Sequence, residues 1–362
     1  MRVLIAAGGT GGHIYPGIAV AQELKRRDAN AAVRFVGTER GLEKRLVTQA
    51  GFELSLIDIT GLKNVSLAAR MSGLAMLPKS FFSAAILIRS FKPDVVVGAG
   101  GYVSGPVVMT AALLGRPTMV MESNALPGWT NRVLARFVDR AAVSFEQAVP
   151  YFRGKAVVTG NPVRREFFEI PAKRRDADRL SLLVFGGSQG ARAINEAVVD
   201  ALPALKSAAI QLRIKHQTGV ADLDKVKAGY LAAGWNSDVS QVTAYIDNMV
   251  KDFAEADLVV CRAGATTTAE LIAAGKASIM IPFPFAADDH QRKNAEAMRD
   301  AGAARMILQQ ELNGARLAQE ICELATSPSR ISEMESAARR MAHGDAASAA
   351  VDLIEQLAKR KG

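Results

Sequence analysis

Short apolar runs that end in glycine-rich loops and continue into helical periods recur along the whole chain. Residues 3–5 lead into a loop at 8–13, and a helical period follows through Leu24. Residues 182–185 lead in the same way into a loop at 186–190, with a helix through Leu202. Strands that alternate with helices pair in parallel through right-handed crossovers. The sequence therefore predicts an α/β protein with two Rossmann-like, doubly wound parallel sheets.

Length and pattern together predict two domains. A chain of 362 residues is too long for one compact core. Further strands are expected at residues 33–36, 94–97, 118–121, 141–144, 212–215, 239–245, 258–261, 278–281 and 305–308. We place a first domain at residues 1–161 and a second at 162–344. The last helix, at about residues 345–362, has no strand after it and is expected to pack back on the first domain.

Composition narrows the class of partner. The net charge of +9 favours anionic partners, but the aromatic content of 6%, without an aromatic-interleaved basic stripe, argues against nucleic acid. Two cysteines without a CxxC spacing disfavour a disulfide framework or a zinc site and fit a reducing cytoplasm. We expect no signal peptide and no membrane-spanning segment, because Pro78 and Lys79 interrupt the longest apolar stretch.

Three glycine-rich loops, at residues 8–13, 98–105 and 186–190, follow predicted strands and precede predicted helices. Such loops bring backbone N–H groups and a helix N-terminus to one point, and both favour a phosphate. The turn at residues 262–267 has the same position after a strand. One loop alone would indicate little, because glycines also permit tight turns and close packing. Since the pattern recurs, we predict a phosphate-bearing nucleotide ligand in a cleft between the two halves.

Two common nucleotide motifs are not matched by the first loop. The fingerprint G-x-G-x-x-G has Ile14 in place of its third glycine, and the G-K-[ST] of a Walker A motif does not follow. These departures disfavour NAD binding and ATP hydrolysis. Glu39, near the end of the second strand, keeps a dehydrogenase open as an interpretation.

Polar residues beside these loops have both a functional and a structural interpretation. His13, at a helix start, is either a general base or a helix-start hydrogen-bonding group. Glu270 lies three residues after Thr267, and this T-x-x-E spacing favours a capping box. Asn124 either faces a ligand at a strand end or forms a turn. Gln291 either hydrogen-bonds a ligand hydroxyl or faces water.

Residues 59–93 carry five basic side chains and no acid, interleaved with leucine, methionine and phenylalanine. Such a segment suits the surface of an anionic membrane. A buried amphipathic helix with an ordinary basic face explains the same pattern, so both interpretations stay open.

Seven motifs occur in order along nearly the whole chain. They are Gly8-Gly9-Thr10-Gly11-Gly12-His13-Ile14-Tyr15-Pro16, Gly100-Gly101-Tyr102-Val103-Ser104-Gly105-Pro106, Thr159-Gly160-Asn161-Pro162-Val163-Arg164, Gly186-Gly187-Ser188-Gln189-Gly190-Ala191, Tyr245-Ile246-Asp247-Asn248-Met249, Cys261-Arg262-Ala263-Gly264-Ala265 and Asp289-His290-Gln291-x-x-Asn294-Ala295. One such motif is weak, but seven in order are specific. Together they resemble the MurG family of N-acetylglucosaminyltransferases, which convert lipid I to lipid II in peptidoglycan synthesis.

The resemblance implies a glycosyltransferase-B fold with UDP-GlcNAc held mainly by the second domain. It implies inverting transfer of GlcNAc to the 4-hydroxyl of MurNAc in undecaprenyl-pyrophosphoryl-MurNAc-pentapeptide, without a cofactor or a required metal. It further implies a peripheral enzyme on the cytoplasmic face of the inner membrane, with the anionic membrane surface and cell-wall synthesis proteins as partners.

The resemblance also assigns roles to individual residues. It implies His13 as the base, with Glu122 as the second choice, and Glu270 as a ribose-binding group. The residues implied in donor binding are Thr10, Gly11, Gly12, Asn124, Arg164, Ser188, Gln189, Ile246, Ala265, Thr266, Thr267, Glu270 and Gln291. Those implied in acceptor binding are Gly101, Tyr102 and Ser104.

Two other function classes stay open beside the transferase. An isomerase of the UDP-GlcNAc 2-epimerase type would need acid and base groups at C2 of the sugar and no lipid-facing patch. A non-catalytic nucleotide-sugar-binding subunit would need a partner for activity.

Overall fold

The chain forms two compact α/β units. The structure, a computed structural model, describes residues 1–8, 11–39, 42–57, 59, 67–173, 179–187, 190–208 and 211–360, with residues 67–77 described by their backbone alone. One unit comprises Met1–Val163 together with His343–Gly362, and the other comprises Arg164–Ala342.

The first unit alternates strands and helices. Its elements are β1 (Arg2–Ala7), α1 (Gly11–Arg27), β2 (Ala32–Gly37), α2 (Glu43–Gln49), β3 (Glu53–Leu56), α3 (Leu67–Phe91), β4 (Val95–Gly100), α4 (Ser104–Leu113), β5 (Thr118–Glu122), α5 (Trp129–Leu134), β6 (Arg140–Val143) and β7 (Ala156–Val158).

The second unit repeats the alternation, and a final helix returns to the first unit. Its elements are β8 (Arg179–Phe185), α6 (Arg192–Ser207), β9 (Gln211–Gln217), α7 (Leu223–Ala232), β10 (Ser240–Thr243), α8 (Met249–Glu255), β11 (Leu258–Cys261), α9 (Ala265–Ala274), β12 (Ser278–Met280), α10 (His290–Asp300), β13 (Ala304–Met306), α11 (Gly314–Ala325) and α12 (Pro328–Arg340). The final helix is α13 (Ala346–Lys359).

Both sheets are parallel and doubly wound, as the sequence predicts. Within the described residues the strand order is β3-β2-β1-β4-β5-β6-β7 in the first unit and β10-β9-β8-β11-β12-β13 in the second. The order reverses between β1 and β4 in one sheet and between β8 and β11 in the other. Ligands of open α/β sheets bind outside the carboxyl ends of the strands at such a switch point. The glycine-rich loops at residues 8–13 and 186–190 therefore begin where a ligand is expected.

The core of the first unit lies on both faces of its sheet. Consecutive apolar residues of β1 and β4 point alternately to the two faces, so both faces are apolar and buried. In register, Val3 pairs with Val33 of β2 on one side and with Val95 of β4 on the other. Fully buried central strands of this kind account for the nearly continuous apolar runs in the sequence.

Helix α13 completes the core of the first unit. Its buried residues, among them Val351, Ile354 and Leu357, belong to the same cluster as Ile18 and Leu24 of α1. On the rim, the Arg27 guanidinium contacts the Asp352 carboxylate at 2.6 Å and donates to the Ser348 carbonyl at 3.0 Å. The C-terminal helix is therefore part of the first unit's fold.

Helix α3 has apolar side chains on two faces. Ala84, Ile88 and Phe91 are buried, whereas Phe82 and Ile86 are 68% and 52% exposed. In the part of α3 whose side chains are described, apolar residues thus lie both in the core and at the surface. None of the helices in the described part of the chain is long and apolar enough to cross a bilayer.

Candidate active site

Glycines bring the loops after β1 and β4 into direct contact. Gly101 has φ +79°, and a Cβ at this position would overlap the carbonyl of Gly8. Gly100 has φ +114°, and a Cβ there would overlap the imidazole of His13. Glycine at these positions is therefore required both by the backbone conformation and by the close approach.

His13 lies in the first turn of α1, at the switch point of the first sheet. The helix begins at Gly11, so Gly11 and Gly12 precede the histidine within the same turn. The side chain is partly buried, and its ring lies against the Cα of Gly100 at the end of β4. The structure thus holds an imidazole at the carboxyl edge of β1 and β4. Thr10 lies outside the described residues.

Tyr102 is linked through Thr38 to a buried carboxylate, which the sequence analysis did not identify. Glu43, in the first turn of α2, accepts hydrogen bonds from the Thr38 amide at 2.8 Å and from the Thr38 hydroxyl at 2.9 Å. The Thr38 hydroxyl lies 3.4 Å from that of Tyr102. Because the Thr38 proton goes to the carboxylate, the Tyr102 hydroxyl donates in this pair. The contact joins the ends of β2 and β4, a link that spacing along the chain does not reveal.

Ser104 has a structural position. Its side chain is fully buried at the start of α4, and its hydroxyl accepts from the Gly100 amide at 3.0 Å. The same hydroxyl lies within donating distance of the Ala6 and Gly100 carbonyls, at 2.9 and 2.8 Å. Ser104 therefore fastens the end of β4 to β1, and its contacts are with backbone inside the fold.

Glu122, the last residue of β5, is buried and fully engaged. Its Oε1 accepts from the backbone and side-chain amides of Asn124, at 3.0 and 3.1 Å. Its Oε2 accepts from the Gly128 amide at 3.0 Å and from the Asn131 side chain at 2.9 Å. Burial raises the pKa of Glu122, and these hydrogen bonds act in the opposite direction. The carboxylate organises the segment from Asn124 to Asn131.

In the second unit, the loop after β8 and the start of α9 occupy the switch point. Gly186 and Gly187 follow the strand, which ends at Phe185, and Gly190 precedes α6. Ser188 and Gln189, between them, lie outside the described residues. Helix α9 begins at Ala265 with Gly264 as its N-cap, and glycine has no side chain that could accept a hydrogen bond from the first turn. The first-turn N–H groups therefore lack a side-chain cap, which suits an anion.

The predicted capping box at Thr267 is wrong. Thr267 lies inside α9, two residues after its first residue Ala265, and Glu270 lies one turn further on. The T-x-x-E spacing was a reasonable signal, but Gly264 with extended backbone begins the helix one turn earlier. The Glu270 side chain therefore does not take part in a capping box. Ala265, Thr266 and Thr267 are all partly buried in the first turn.

Glu270 is a carboxyl group with a strongly shifted pKa. Burial raises the pKa of Glu270 to about 7, and the nearby charge of Arg164 opposes this shift. Arg164 itself is exposed and stacks over the ring of Phe167, with its guanidinium carbon 5.0 Å from the ring centroid. A carboxyl that titrates near neutrality, beside a cation at a sheet's carboxyl edge, is characteristic of a ligand site.

Gln291 holds a loop. At the start of α10, its side-chain oxygen accepts from the Phe283 amide at 3.0 Å, and this leaves its NH₂ group to other partners. Phe283 in turn lies under the guanidinium of Arg262, which donates to the Ile281 carbonyl at 3.2 Å. The sequence offered two choices for Gln291, a ligand or water, and the structure adds this third contact. Ile246 is partly buried in the loop between β10 and α8.

All seven motifs follow the carboxyl ends of strands. They follow β1, β4 and β7 in the first unit and β8, β10, β11 and β12 in the second. In each parallel sheet these ends share one edge, so each unit gathers its motifs on one side. No group of three or more His, Cys, Asp or Glu side chains is arranged to hold a metal ion in the part of the chain that the structure describes.

Comparison with known proteins gives the same picture over the whole chain. Residues 3–143 match the glycosyltransferase family 28 N-terminal domain, and residues 181–357 match the family 28 C-terminal domain. A protein of Syntrophus aciditrophicus is 48% identical over 354 residues, which are 97% of each chain. It is named UDP-N-acetylglucosamine–N-acetylmuramyl-(pentapeptide) pyrophosphoryl-undecaprenol N-acetylglucosamine transferase.

A protein of Myxococcus xanthus with the same name is 47% identical and covers 99% of this chain and 93% of its own. The crystal structure of Acinetobacter baumannii MurG superimposes with a TM-score of 0.83 at 34% identity, covering 98% of this chain and 99% of that one. The chain belongs to the MurG family. The two glycosyltransferase family 28 domains, the two parallel sheets and the match to the MurG structure confirm the predicted glycosyltransferase-B fold.

Proposed function

We propose that this protein transfers GlcNAc from UDP-GlcNAc to the 4-hydroxyl of MurNAc in undecaprenyl-pyrophosphoryl-MurNAc-pentapeptide. The observation that carries the proposal is the 46–48% identity, over 97% or more of this chain, to relatives that are named for this transfer. The fold supports it, because the loops expected to hold a nucleotide diphosphate lie at both switch points. An epimerase is not favoured, since these relatives are named as transferases.

The donor binds mainly to the second unit. The first turn of α9, with Ala265, Thr266 and Thr267, offers N–H groups to the diphosphate. Ser188 and Gln189, which lie outside the described residues, are the other diphosphate-binding residues that the sequence predicts in this unit. Arg164 supplies a positive charge beside Glu270, whose carboxyl binds the ribose hydroxyls. Ile246 and Gln291 border the same edge. From the first unit, Thr10, Gly11, Gly12 and Asn124 complete the donor contacts.

His13 is the general base. Its neutral imidazole takes the proton of the MurNAc 4-hydroxyl while the hydroxyl oxygen bonds to C1 of GlcNAc. The bond from C1 to the UDP oxygen breaks, and its electron pair leaves with UDP. Attack opposite to the leaving group converts the α-linked donor into a β-linked product. Helix N-termini and Arg164 stabilise the charge that develops on the diphosphate.

Glu122 is a positioning group in this mechanism. Each of its two oxygens accepts two hydrogen bonds, and the donors belong to Asn124, Gly128 and Asn131. A base must receive a proton from the acceptor, and a carboxylate so engaged has little capacity left. Glu122 therefore fixes Asn124. Tyr102 and Gly101 lie at the edge where the acceptor sugar would bind, and Ser104 holds their loop from below.

We propose that the reaction takes place at the cytoplasmic face of the inner membrane, in whose bilayer the acceptor's polyprenyl tail stays. Six large apolar side chains on or just after the neighbouring helices α3, α4 and α5 are exposed, and we call them the apolar surface of α3–α5: Phe82, Ile86, Leu113, Trp129, Val133 and Phe137. Exposed cations accompany them, among them Lys79, Arg89 and Lys92. Apolar groups that enter the interface and cations for anionic headgroups give reversible, peripheral binding. Leu74 and Leu77 belong to this segment, but their side chains lie outside the described residues, as does Lys63.

Incubation of the purified protein with UDP-GlcNAc separates the three function classes. A transferase leaves the sugar nucleotide unchanged until a lipid I analogue is added and then releases UDP. Formation of UDP-ManNAc without an acceptor would establish an epimerase instead. Binding of UDP-GlcNAc with no turnover in the presence of the acceptor would establish a binding subunit.

A further inference from the structure

A histidine that the mechanism does not use is buried in the second unit. His216, near the end of β9, has no exposed surface, and its neighbours in the core come from α6 and α7. Its Nδ1 lies 3.2 Å from the hydroxyl of Tyr230, and its Nε2 lies 3.0 Å from Oδ1 of Asn195. Both ring nitrogens are therefore satisfied, as a buried polar group requires.

The hydrogen-bond pattern fixes the protonation of the ring. Nδ2 of Asn195 donates to the Thr218 carbonyl at 3.0 Å and to the Asp222 carboxylate at 2.9 Å. Both of these partners only accept, so the amide oxygen of Asn195 must face His216. Nε2 of His216 consequently carries the proton, and Nδ1 accepts from Tyr230. Burial lowers the pKa of His216 to about 3, so the ring is neutral at physiological pH.

Asn195 connects this histidine to the loop after β8. The Thr218 carbonyl that it holds is in close contact with Gly190, where φ is +76° and a Cβ would overlap that carbonyl. The adjacent Gln217 donates from its side chain to the Gly187 carbonyl at 2.9 Å. The Gly190 amide also donates to the Gly187 carbonyl, at 2.9 Å. Gly187 and Gly190 thus contact Gln217 and Thr218, the two residues that follow His216.

We propose that His216 is a positioning residue for the donor diphosphate. Through its Nε2–H, it orients the Asn195 amide, which holds the Thr218 carbonyl against Gly190 and so sets the glycine loop before the ligand arrives. This inference rests on the proposed function, in which the loop binds the diphosphate of UDP-GlcNAc. It is distinct from that function because it predicts which ring nitrogen matters and predicts loop order in the absence of any ligand.

Two amide substitutions separate the roles of the ring nitrogens. In His216→Gln the side-chain amide reaches the former Nε2 position and still donates to Asn195. In His216→Asn the shorter amide reaches only the Nδ1 position and loses this bond. We expect His216→Asn to raise the Kd for UDP-GlcNAc about tenfold, the effect of one lost buried hydrogen bond, and His216→Gln to stay within about threefold of wild type. Trp235→Phe is the control, because it removes another buried hydrogen bond, to the Leu202 carbonyl, from the same core.

Calorimetric titration with UDP-GlcNAc and hydrogen exchange of residues 186–195 are the two readouts. The inference predicts faster exchange of this segment in His216→Asn than in His216→Gln or Trp235→Phe, with no ligand present. If all three variants are equally destabilised and bind the donor equally, His216 is only a core residue and the inference is overturned. If wild type does not bind UDP-GlcNAc, the proposed function fails, while the exchange comparison still decides the role of His216 in the loop.

Nuclear magnetic resonance of the imidazole nitrogens tests the assignment without a substitution. The chain has four histidines, so the signals of His216 can be assigned from one variant. We expect a neutral ring with the proton on Nε2 between pH 6 and pH 8, which lies well above the pKa of about 3. A proton on Nδ1 would break the link to Asn195 and overturn the inference. If His216→Asn does not fold, Asn195→Ala, which removes the amide between Nε2 of His216 and the Thr218 carbonyl, replaces it in the exchange experiment with the same expected direction.

Discussion

Two carboxyl groups at the sheet edges show how surroundings divide the roles of chemically similar residues. Glu122 accepts four hydrogen bonds from Asn124, Gly128 and Asn131. Burial raises the pKa of both groups, and only the charge of Arg164 lowers that of Glu270. Glu122 therefore holds the segment that follows it, whereas we propose that Glu270, which titrates at about 7, exchanges hydrogen bonds with a ligand.

Glu270 should make stability depend on pH. Its pKa in the folded protein is raised from 4.5 to about 7, so the native state binds this proton more tightly than the unfolded chain does. The stabilisation is complete below about pH 4.5 and is lost as the pH rises through about 7. Glu270→Gln removes this dependence. The difference in the free energy of unfolding, Glu270→Gln minus wild type, should therefore increase by about 1–3 kcal/mol between pH 5 and pH 8.

Denaturant unfolding at several pH values measures this difference, with the exposed Glu333→Gln as the control. Parallel pH profiles for wild type and Glu270→Gln would show that the carboxyl has an ordinary pKa.

A second variant, Glu270→Ala, should raise the Kd for UDP-GlcNAc about tenfold or more, because a hydrogen bond to a charged group is lost. An unchanged Kd would remove Glu270 from the donor site.

His13→Ala should lower kcat far more than it raises the KM for UDP-GlcNAc. Loss of a general base reduces the rate by about 10²- to 10⁴-fold. Steady-state kinetics with a lipid I analogue measure both constants, and His343→Ala, an exposed histidine of the same unit, is the control. If His13→Ala keeps a near-normal kcat, the base is Glu122 or water.

At the scale of elements, the pattern of apolar runs identified the central strands because those strands are buried on both faces. Residues 258–261 coincide with β11, and the runs at residues 3–5 and 182–185 lie within β1 and β8. The edge strands β3 and β7 were missed. Strand β3 has Glu53 and Ser55 among its four residues, so it lacks a continuous apolar run, and β7 is an apolar run of only three residues. Glu53, Leu56 and Val157 are exposed in these strands. Pairing with one neighbour, which is a tertiary effect, defines these strands.

Tertiary contacts likewise limit how much of the candidate active site can be predicted from the sequence. Glycine-rich loops after strands are visible in the sequence, and the fold brings them to the switch points. The bond from Thr38 to Glu43 and the burial of Ser104 depend on which strands become neighbours, so spacing does not reveal them. The start of α9 at Ala265 was missed because the capping-box pattern at Thr267 fits the sequence equally well.

The apolar surface of α3–α5 should bind anionic vesicles. A variant with Phe82, Ile86 and Leu113 changed to Ser should sediment less with vesicles of anionic lipid than wild type does. Binding of wild type should also weaken at high salt, since each basic residue near the surface contributes about 1 kcal/mol. Thermal unfolding should be little changed, because these side chains are more than half exposed.

The matched control changes three exposed apolar residues of the second unit, Val220, Leu231 and Val239, to Ser. Equal vesicle binding by both variants and wild type would remove this surface as the membrane contact. A large loss of thermal stability in the α3–α5 variant would instead assign its side chains to the core.

At the scale of the whole molecule, each unit has its own core, and the chain crosses to the second unit and back. Ile354 of α13 is fully buried in the core of the first unit, although it is close to the C-terminus. Ile354→Ala should lower the free energy of unfolding by about 2–5 kcal/mol. Because we place the donor mainly in the second unit, the Kd for UDP-GlcNAc of the folded variant should change little. Calorimetry at a temperature below unfolding tests this, and a Kd raised tenfold would contradict that placement.

The most direct test of the central claim is the identity of the product formed from UDP-GlcNAc and undecaprenyl-pyrophosphoryl-MurNAc-pentapeptide. We predict one UDP released for each lipid-linked disaccharide, with GlcNAc joined to the 4-hydroxyl of MurNAc. Proton coupling at the new anomeric centre should show the β configuration, as a single inverting displacement requires. An α-linked product, or UDP release that leaves the acceptor unchanged, would contradict the account.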